Sequence, residues 1–170
     1  MGGMGKTTLT AQLARQNVGH FAFVLWHSLL NAPSLPELLD GWLRTLSAQQ
    51  LAQTPTGLDA QLNLLFAYLR QHRCLLVLDN MESIMQGGER AGYYRAGYEE
   101  YGQLLLRFGQ SSHQSCLLLT SREQPRELAR LAAETPLVRT LTLPGLDDAV
   151  GRQLLRARGI QGSGASIAAL

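Results

Sequence analysis

Apolar positions along this chain follow two rhythms, and the alternation between them predicts the fold. Continuous runs stand at Phe21–Trp26 (FAFVLW), Cys74–Leu78 and Cys116–Leu119. A short uninterrupted apolar run suits a strand covered on both faces. Between the runs, apolar residues recur every three or four positions, the spacing of one helix face. Leu9 and Leu13 mark such a face from Thr7 to about Gln16, closed by Asn17 and Gly19. Ser34 and Glu37 form a capping box ahead of Leu35, Leu38, Leu39, Trp42, Leu43 and Leu46, with Trp42 read as core. After Thr54-Pro55-Thr56-Gly57, a second stripe carries Leu58, Leu62, Leu65, Phe66 and Leu69. Tyr98, Tyr101, Leu104, Leu105 and Phe108 make a third.

The remaining segments are weaker signals. Gln86–Gly97 is rich in glycine and tyrosine without period, and an exposed loop is expected there. Its Tyr93, Tyr94 and Arg95 are candidates for contact with a partner or flanking domain, against the alternative of an inert, self-packed loop. Pro125 is expected to start a short helix through Ala133, with Arg126 and Arg130 on a solvated face. Val138–Leu143 alternates with period two and predicts a last strand. Asp147 caps a helix to about Arg158, which Gly159 stops. The order of elements is a βα alternation, hence α/β with a mostly parallel sheet. Right-handed crossovers carry every strand's C-terminal end to one edge.

Composition narrows the class without changing the fold. At 170 residues, 45% hydrophobic and 16% charged, the chain is one globular domain rather than a disordered segment. A net charge of +2 with scattered signs gives no strong field, so no direct nucleic-acid or membrane partner is expected. Cys74 and Cys116 each open an apolar run and read as reduced core thiols. No signal peptide is expected, since residues 1–8 are glycine-rich without an apolar h-region, and no run approaches the roughly 18 residues of a membrane helix. The expected compartment is the cytoplasm.

The candidate chemistry begins at residues 1–8, Met1-Gly2-Gly3-Met4-Gly5-Lys6-Thr7-Thr8. Glycines lack a Cβ and let backbone N–H groups turn inward at a helix mouth, which makes an anion site. Lys6 can reach β- and γ-phosphates, and the Thr7 hydroxyl can ligate Mg²⁺. The full pattern G-x-x-x-x-G-K-[ST] would place its first glycine one residue before Met1, and the strand that feeds such a loop is missing. A truncated piece of a larger protein, or a start at an internal methionine, is therefore expected. A glycine-rich arm is the bland alternative. Asp79 ends the second apolar run, where open α/β sheets bind ligands, and can position Mg²⁺. Arg122 follows the third run and can reach a γ-phosphate; a surface arginine is the alternative. Asn80 follows Asp79 directly and offers an amide, which can orient a water but cannot accept its proton, and Glu82 is the nearest carboxylate.

In this order and spacing, GGMGKTT, VLWHSL, CLLVLDN, CLLLTSR and LPGLDD resemble the NB-ARC domain of the STAND signalling ATPases, especially bacterial members with C-terminal β-propeller repeats. The likeness runs from about Gly2 to Gly159. It implies a P-loop NTPase fold, a three-layer α/β/α sandwich with sheet order 5-1-4-3-2 and the absent strand at the centre. It implies ATP/ADP and Mg²⁺ as cofactors, with Gly2, Gly3, Met4, Gly5, Lys6, Thr7 and Thr8 as the phosphate loop. Thr7 and Asp79 hold the metal, Lys6, Asp79 and Arg122 serve the chemistry, and Arg122 senses the γ-phosphate. Many relatives carry a second acid directly after the strand acid; this chain departs from them with Asn80, and Glu82 is the candidate to substitute. Residues 1–145 are then the nucleotide-binding domain, and 146–170 open a helical subdomain. The implied partners are other domains of a longer chain, a C-terminal repeat sensor among them, with oligomerisation governed by nucleotide. The adenine pocket receives no residue. The expected function is a signalling switch with slow hydrolysis. The alternatives are a fragment that binds no nucleotide by itself and a working ATPase that drives another reaction.

Overall fold

The computed structural model describes residues 5–144, the side chain of Glu89 excepted. Gly2, Gly3, Met4, the helix expected from Asp147 and the 146–170 subdomain lie outside the described residues. Thr7–Thr140 form one compact unit; Gly5, Lys6 and 141–144 belong to a second.

Three strands, β1 (Phe23–Ser28), β2 (Cys74–Asp79) and β3 (Cys116–Leu119), form a parallel sheet in the order β1-β2-β3. The order reproduces the adjacency of strands two, three and four that the family likeness implies. β2 is central and buried along its whole length. Its side chains alternate between two layers. Leu75 and Val77 pack with Ala14 of α1 (Lys6–Asn17) and with Val24 and Leu118. Cys74, Leu76 and Leu78 join the larger core of α2 (Leu35–Leu46), α3 (Leu58–Gln71) and α4 (Glu100–Gln110). Helices thus cover both faces, the three-layer α/β/α arrangement of a P-loop fold. Each fully buried leucine in this core contributes roughly 1.5–3 kcal/mol relative to exposure.

The helices form where the sequence places their signals. Ser34 accepts from the Glu37 N–H at 3.4 Å while the Glu37 carboxylate accepts from the Ser34 N–H at 3.0 Å, closing the capping box of α2. α4 and α5 (Arg126–Glu134) approach closely because α4 carries glycines where they meet. A Cβ on Gly109 would stand 2.7 Å from Leu131, and one on Gly102 would stand 3.0 Å from Glu127.

Five expectations need correction. Val138–Leu143 is not a strand: no described strand offers it a partner, and Leu141 is exposed. An alternating segment without cross-strand hydrogen bonds has nothing to hold it extended in a ladder. α1 turns Thr10 and Ala14 to the sheet, leaving Leu9 half-buried and Leu13 exposed. Thr7 fixes that phase through its bond to Asp79, and positions 10 and 14 share its face. β1 starts two residues later than the apolar run, because Phe21 closes a short 3₁₀ turn and lies under the Arg73 guanidinium. It is also covered incompletely: only Leu25 of its six residues is buried, as suits a strand with one neighbour. The Gln86–Gly97 loop is exposed only in part. Tyr94 is buried and donates to Glu127 on α5 at 3.1 Å, and the Arg126 N–H donates to the Gly92 carbonyl at 3.2 Å. Cys116, unlike buried Cys74, is exposed at the start of an edge strand; both thiols are free.

Candidate functional site

Strand parity sets the site. Asp79 shares the face of Leu75 and Val77, the face that α1 covers, so its carboxylate emerges toward the first turn of that helix. The Thr7 hydroxyl lies 3.0 Å and 3.1 Å from the two Asp79 carboxylate oxygens, across 72 positions of sequence. Register places Ser28 beside Asp79 on one side and, one step beyond Leu78↔Leu119, Thr120 on the other. Thr120 donates to Asp79 Oδ1, and Asn80 Nδ2 donates to Oδ2 at 3.2 Å and to Ser28 Oγ at 3.3 Å. Thr7, Thr120 and Asn80 thus converge on a single acid, and Ser28 joins them through Asn80.

Asp79 is only 3% exposed, yet no Lys, Arg or His within the body Thr7–Thr140 pairs with it. Burying a carboxylate among hydroxyls and an amide, with no cation of that body paired to it, is costly unless a cation joins it. The carboxylate of Asp79 and the hydroxyl of Thr7 are hard oxygens, the donor chemistry that suits Mg²⁺. Among the described residues no group of three or more His, Cys, Asp or Glu could hold a metal. A site of one carboxylate and one hydroxyl fits an ion that keeps waters and takes phosphate oxygens, as Mg²⁺ does. Thr7 and Asp79 would hold it.

Beyond that cluster, Arg122 Nε pairs with Glu82 Oε1 at 3.2 Å. The guanidinium side chain is 55% exposed, and Glu82 Oε2 is buried without a partner. Two residues of the expected chemistry therefore meet each other. Gly5 takes φ +76°, the left-handed conformation that glycine adopts without strain, and Lys6 opens α1. Thr8 is exposed. Sequence pattern gives Thr120 no separate role; the signal that finds it is register, since a hydroxyl one strand over from a strand-ending acid must sit beside it. Asn80 adopts φ 64°, ψ 48°, which asparagine tolerates better than most residues.

A family model described as the NB-ARC domain matches residues 1–86. An uncharacterized WD repeat-containing protein of Nostoc sp. is 43% identical over 167 residues, which covers 94% of this chain and 13% of that protein's length. The chain therefore spans a small part of this relative. Among solved structures, the Orc1 protein of Aeropyrum pernix, determined in complex with DNA, superposes with a TM-score of 0.56 at 16% identity. That likeness covers 92% of this chain and 41% of the other, and it shows the shared fold. Among the described residues no helix is long and apolar enough to cross a membrane.

Proposed function

The chain belongs to the NB-ARC family, and we propose that it serves there as an ATP/ADP-binding switch that hydrolyses ATP slowly. The observation that carries this reading is the buried Asp79, in contact with Thr7 at the mouth of α1 and paired with no cation of the body Thr7–Thr140. Mg²⁺ bound with the nucleotide would supply the charge neutralisation that phosphoryl transfer needs. Thr7 and Asp79 orient on that side, Gly2, Gly3, Met4, Gly5 and Thr8 shape the phosphate loop, and Lys6 reaches the phosphates.

Slow turnover follows from what surrounds the acid. Asn80 can orient a water through its amide but cannot accept its proton. Glu82 is engaged by Arg122, and to act as a base it must release the arginine. A switch needs two nucleotides that bind its states with unequal free energy. Arg122 is the group for that task, because its guanidinium side chain is more than half exposed and can turn from Glu82 to a phosphate. The further domains, the repeat sensor implied by the WD-repeat relative, the subdomain from residue 146 and nucleotide-governed oligomerisation belong to the same proposal, as does a cytoplasmic setting.

The test is equilibrium binding of ATP and ADP to the intact protein. Lys6→Ala is expected to abolish both, and Arg122→Ala to weaken ATP about tenfold or more while ADP changes little, the loss of one charge-assisted contact. Equal losses for the two nucleotides would reject Arg122 as the discriminator. Undiminished binding in Lys6→Ala would reject the phosphate loop itself.

A further inference from the structure

We propose that Thr120 is the positioning residue that holds Asp79 ready for its cation, an inference that rests on the nucleotide reading above and extends it. Thr120 is 5% exposed at the tip of β3 and grips four successive residues of the neighbouring strand end. Its N–H donates to the Leu78 carbonyl at 3.0 Å, and its carbonyl accepts from the Met81 N–H at 2.9 Å. Between those two backbone bonds, its hydroxyl accepts from the Asn80 N–H at 3.0 Å.

That last bond fixes the direction of the hydroxyl proton. A threonine oxygen has one hydrogen and two lone pairs. With one lone pair taken by an N–H, the hydrogen is directed to Asp79 Oδ1, the contact the structure shows. The same N–H bond helps to hold Asn80 in its left-handed conformation, from which the amide reaches Asp79 Oδ2 and Ser28. Thr120 thus restrains one carboxylate oxygen directly and the other through Asn80. Thr7, the remaining partner, lies on α1 and is shared with the ligand in the nucleotide reading. Thr120 and Asn80 are therefore the fixed part of the cradle, and they set the rotamer that Asp79 presents whether or not nucleotide is bound.

Groups that orient a metal-holding carboxylate typically change metal affinity by 10–100-fold when removed. The experiment measures ADP affinity of the intact protein with Mg²⁺ and with excess chelator. In wild type, Mg²⁺ is expected to tighten ADP binding. Thr120→Val, which keeps the shape and removes the hydroxyl, is expected to lose about tenfold of that Mg²⁺-dependent gain, with chelator-condition affinity within about twofold of wild type. Thr120→Ser restores the hydroxyl and is expected to recover most of the gain. If Thr120→Val does not fold, Thr120→Cys replaces it, since a thiol donates only weakly, with the same expectation. A full Mg²⁺ gain in the hydroxyl-deficient variant overturns the inference and leaves the nucleotide reading standing. Equal loss with and without Mg²⁺, unrescued by serine, also overturns it by making Thr120 a general fold element. Absence of any ADP binding by wild type removes the nucleotide reading, and this inference falls with it.

Discussion

Two carboxylates in this molecule are buried to nearly the same degree, Asp79 at 3% and Glu127 at 6% exposure, and they are treated in opposite ways. Glu127 receives the Tyr94 hydroxyl at 3.1 Å on one oxygen and the Arg126 guanidinium at 2.9 Å on the other. Its charge is balanced by the preceding residue in sequence, and its site is closed. Within the body Thr7–Thr140, Asp79 receives neutral donors: Thr7, Thr120 and Asn80. Burial alone therefore does not mark function. A buried acid with its own cation ties two segments together, here the 86–97 loop to α5. A buried acid without one stores unspent electrostatic potential, which a bound cation can use.

The contrast can be broken from either side. Asp79→Asn removes the carboxylate and leaves an isosteric side chain. Its largest expected effect is on ligand affinity: about a hundredfold loss of the Mg²⁺-dependent part of nucleotide binding, measured by titration of the intact protein. Its effect on folding stability is expected to stay below the roughly 3–5 kcal/mol of a broken buried ion pair, because hydrogen bonds alone are rearranged. A large loss of stability would place Asp79 in the same class as Glu127. Glu127→Ala is the mirror experiment and the next largest effect. It leaves the buried Tyr94 hydroxyl without its acceptor, which costs roughly 1–3 kcal/mol in denaturant unfolding. Nucleotide affinity is expected to be unchanged within about twofold. A parallel loss of affinity would show that the loop tie and the strand-tip cradle are one cooperative unit.

Much of this arrangement is legible in the sequence, and the reason lies in repetition. The capping box of α2, the stripes of α3 and α4 and the apolar run of β2 each involve several residues that repeat one message. The meeting of Thr7 with Asp79 is legible too, since parallel topology brings strand tips and the glycine loop to one edge. Single-residue events are not. Nothing in the Gln86–Gly97 composition announces that Tyr94 reaches Glu127, 33 positions away. The pairing of Glu82 with Arg122 depends on loop geometry that periodicity does not encode. The face of α1 is misread by one position because Leu9 and Leu13 outweigh Thr10 and Ala14 in hydrophobicity, while the helix is oriented by a polar contact at Thr7. VRTLTL shows the converse limit: alternation describes what a segment offers a sheet, and a strand also needs a neighbour that accepts it.

The smallest expected effect sharpens the same comparison through pH. Burial, with the charge of Glu127 beside it, pushes the Tyr94 phenol well above its ordinary value, and burial raises Tyr101 as well. A phenol that resists ionisation in the folded state but ionises freely in the unfolded chain binds more protons when folded. The stability it contributes is fully present below the unfolded value of about 10 and declines as pH climbs above it. Each such group adds at most roughly 1.4 kcal/mol of loss per pH unit there. Denaturant unfolding from pH 8 to 11 is expected to show a falling limb above about pH 10 in wild type and a shallower one in Tyr94→Phe. The limb should not vanish, because Tyr101 still contributes. Slopes rather than absolute stabilities decide the matter, since Tyr94→Phe also deletes the hydrogen bond to Glu127 at every pH. An unchanged slope would mean that the phenol shares its ionisation with solvent, and the closed character assigned to the Glu127 site would then be lost.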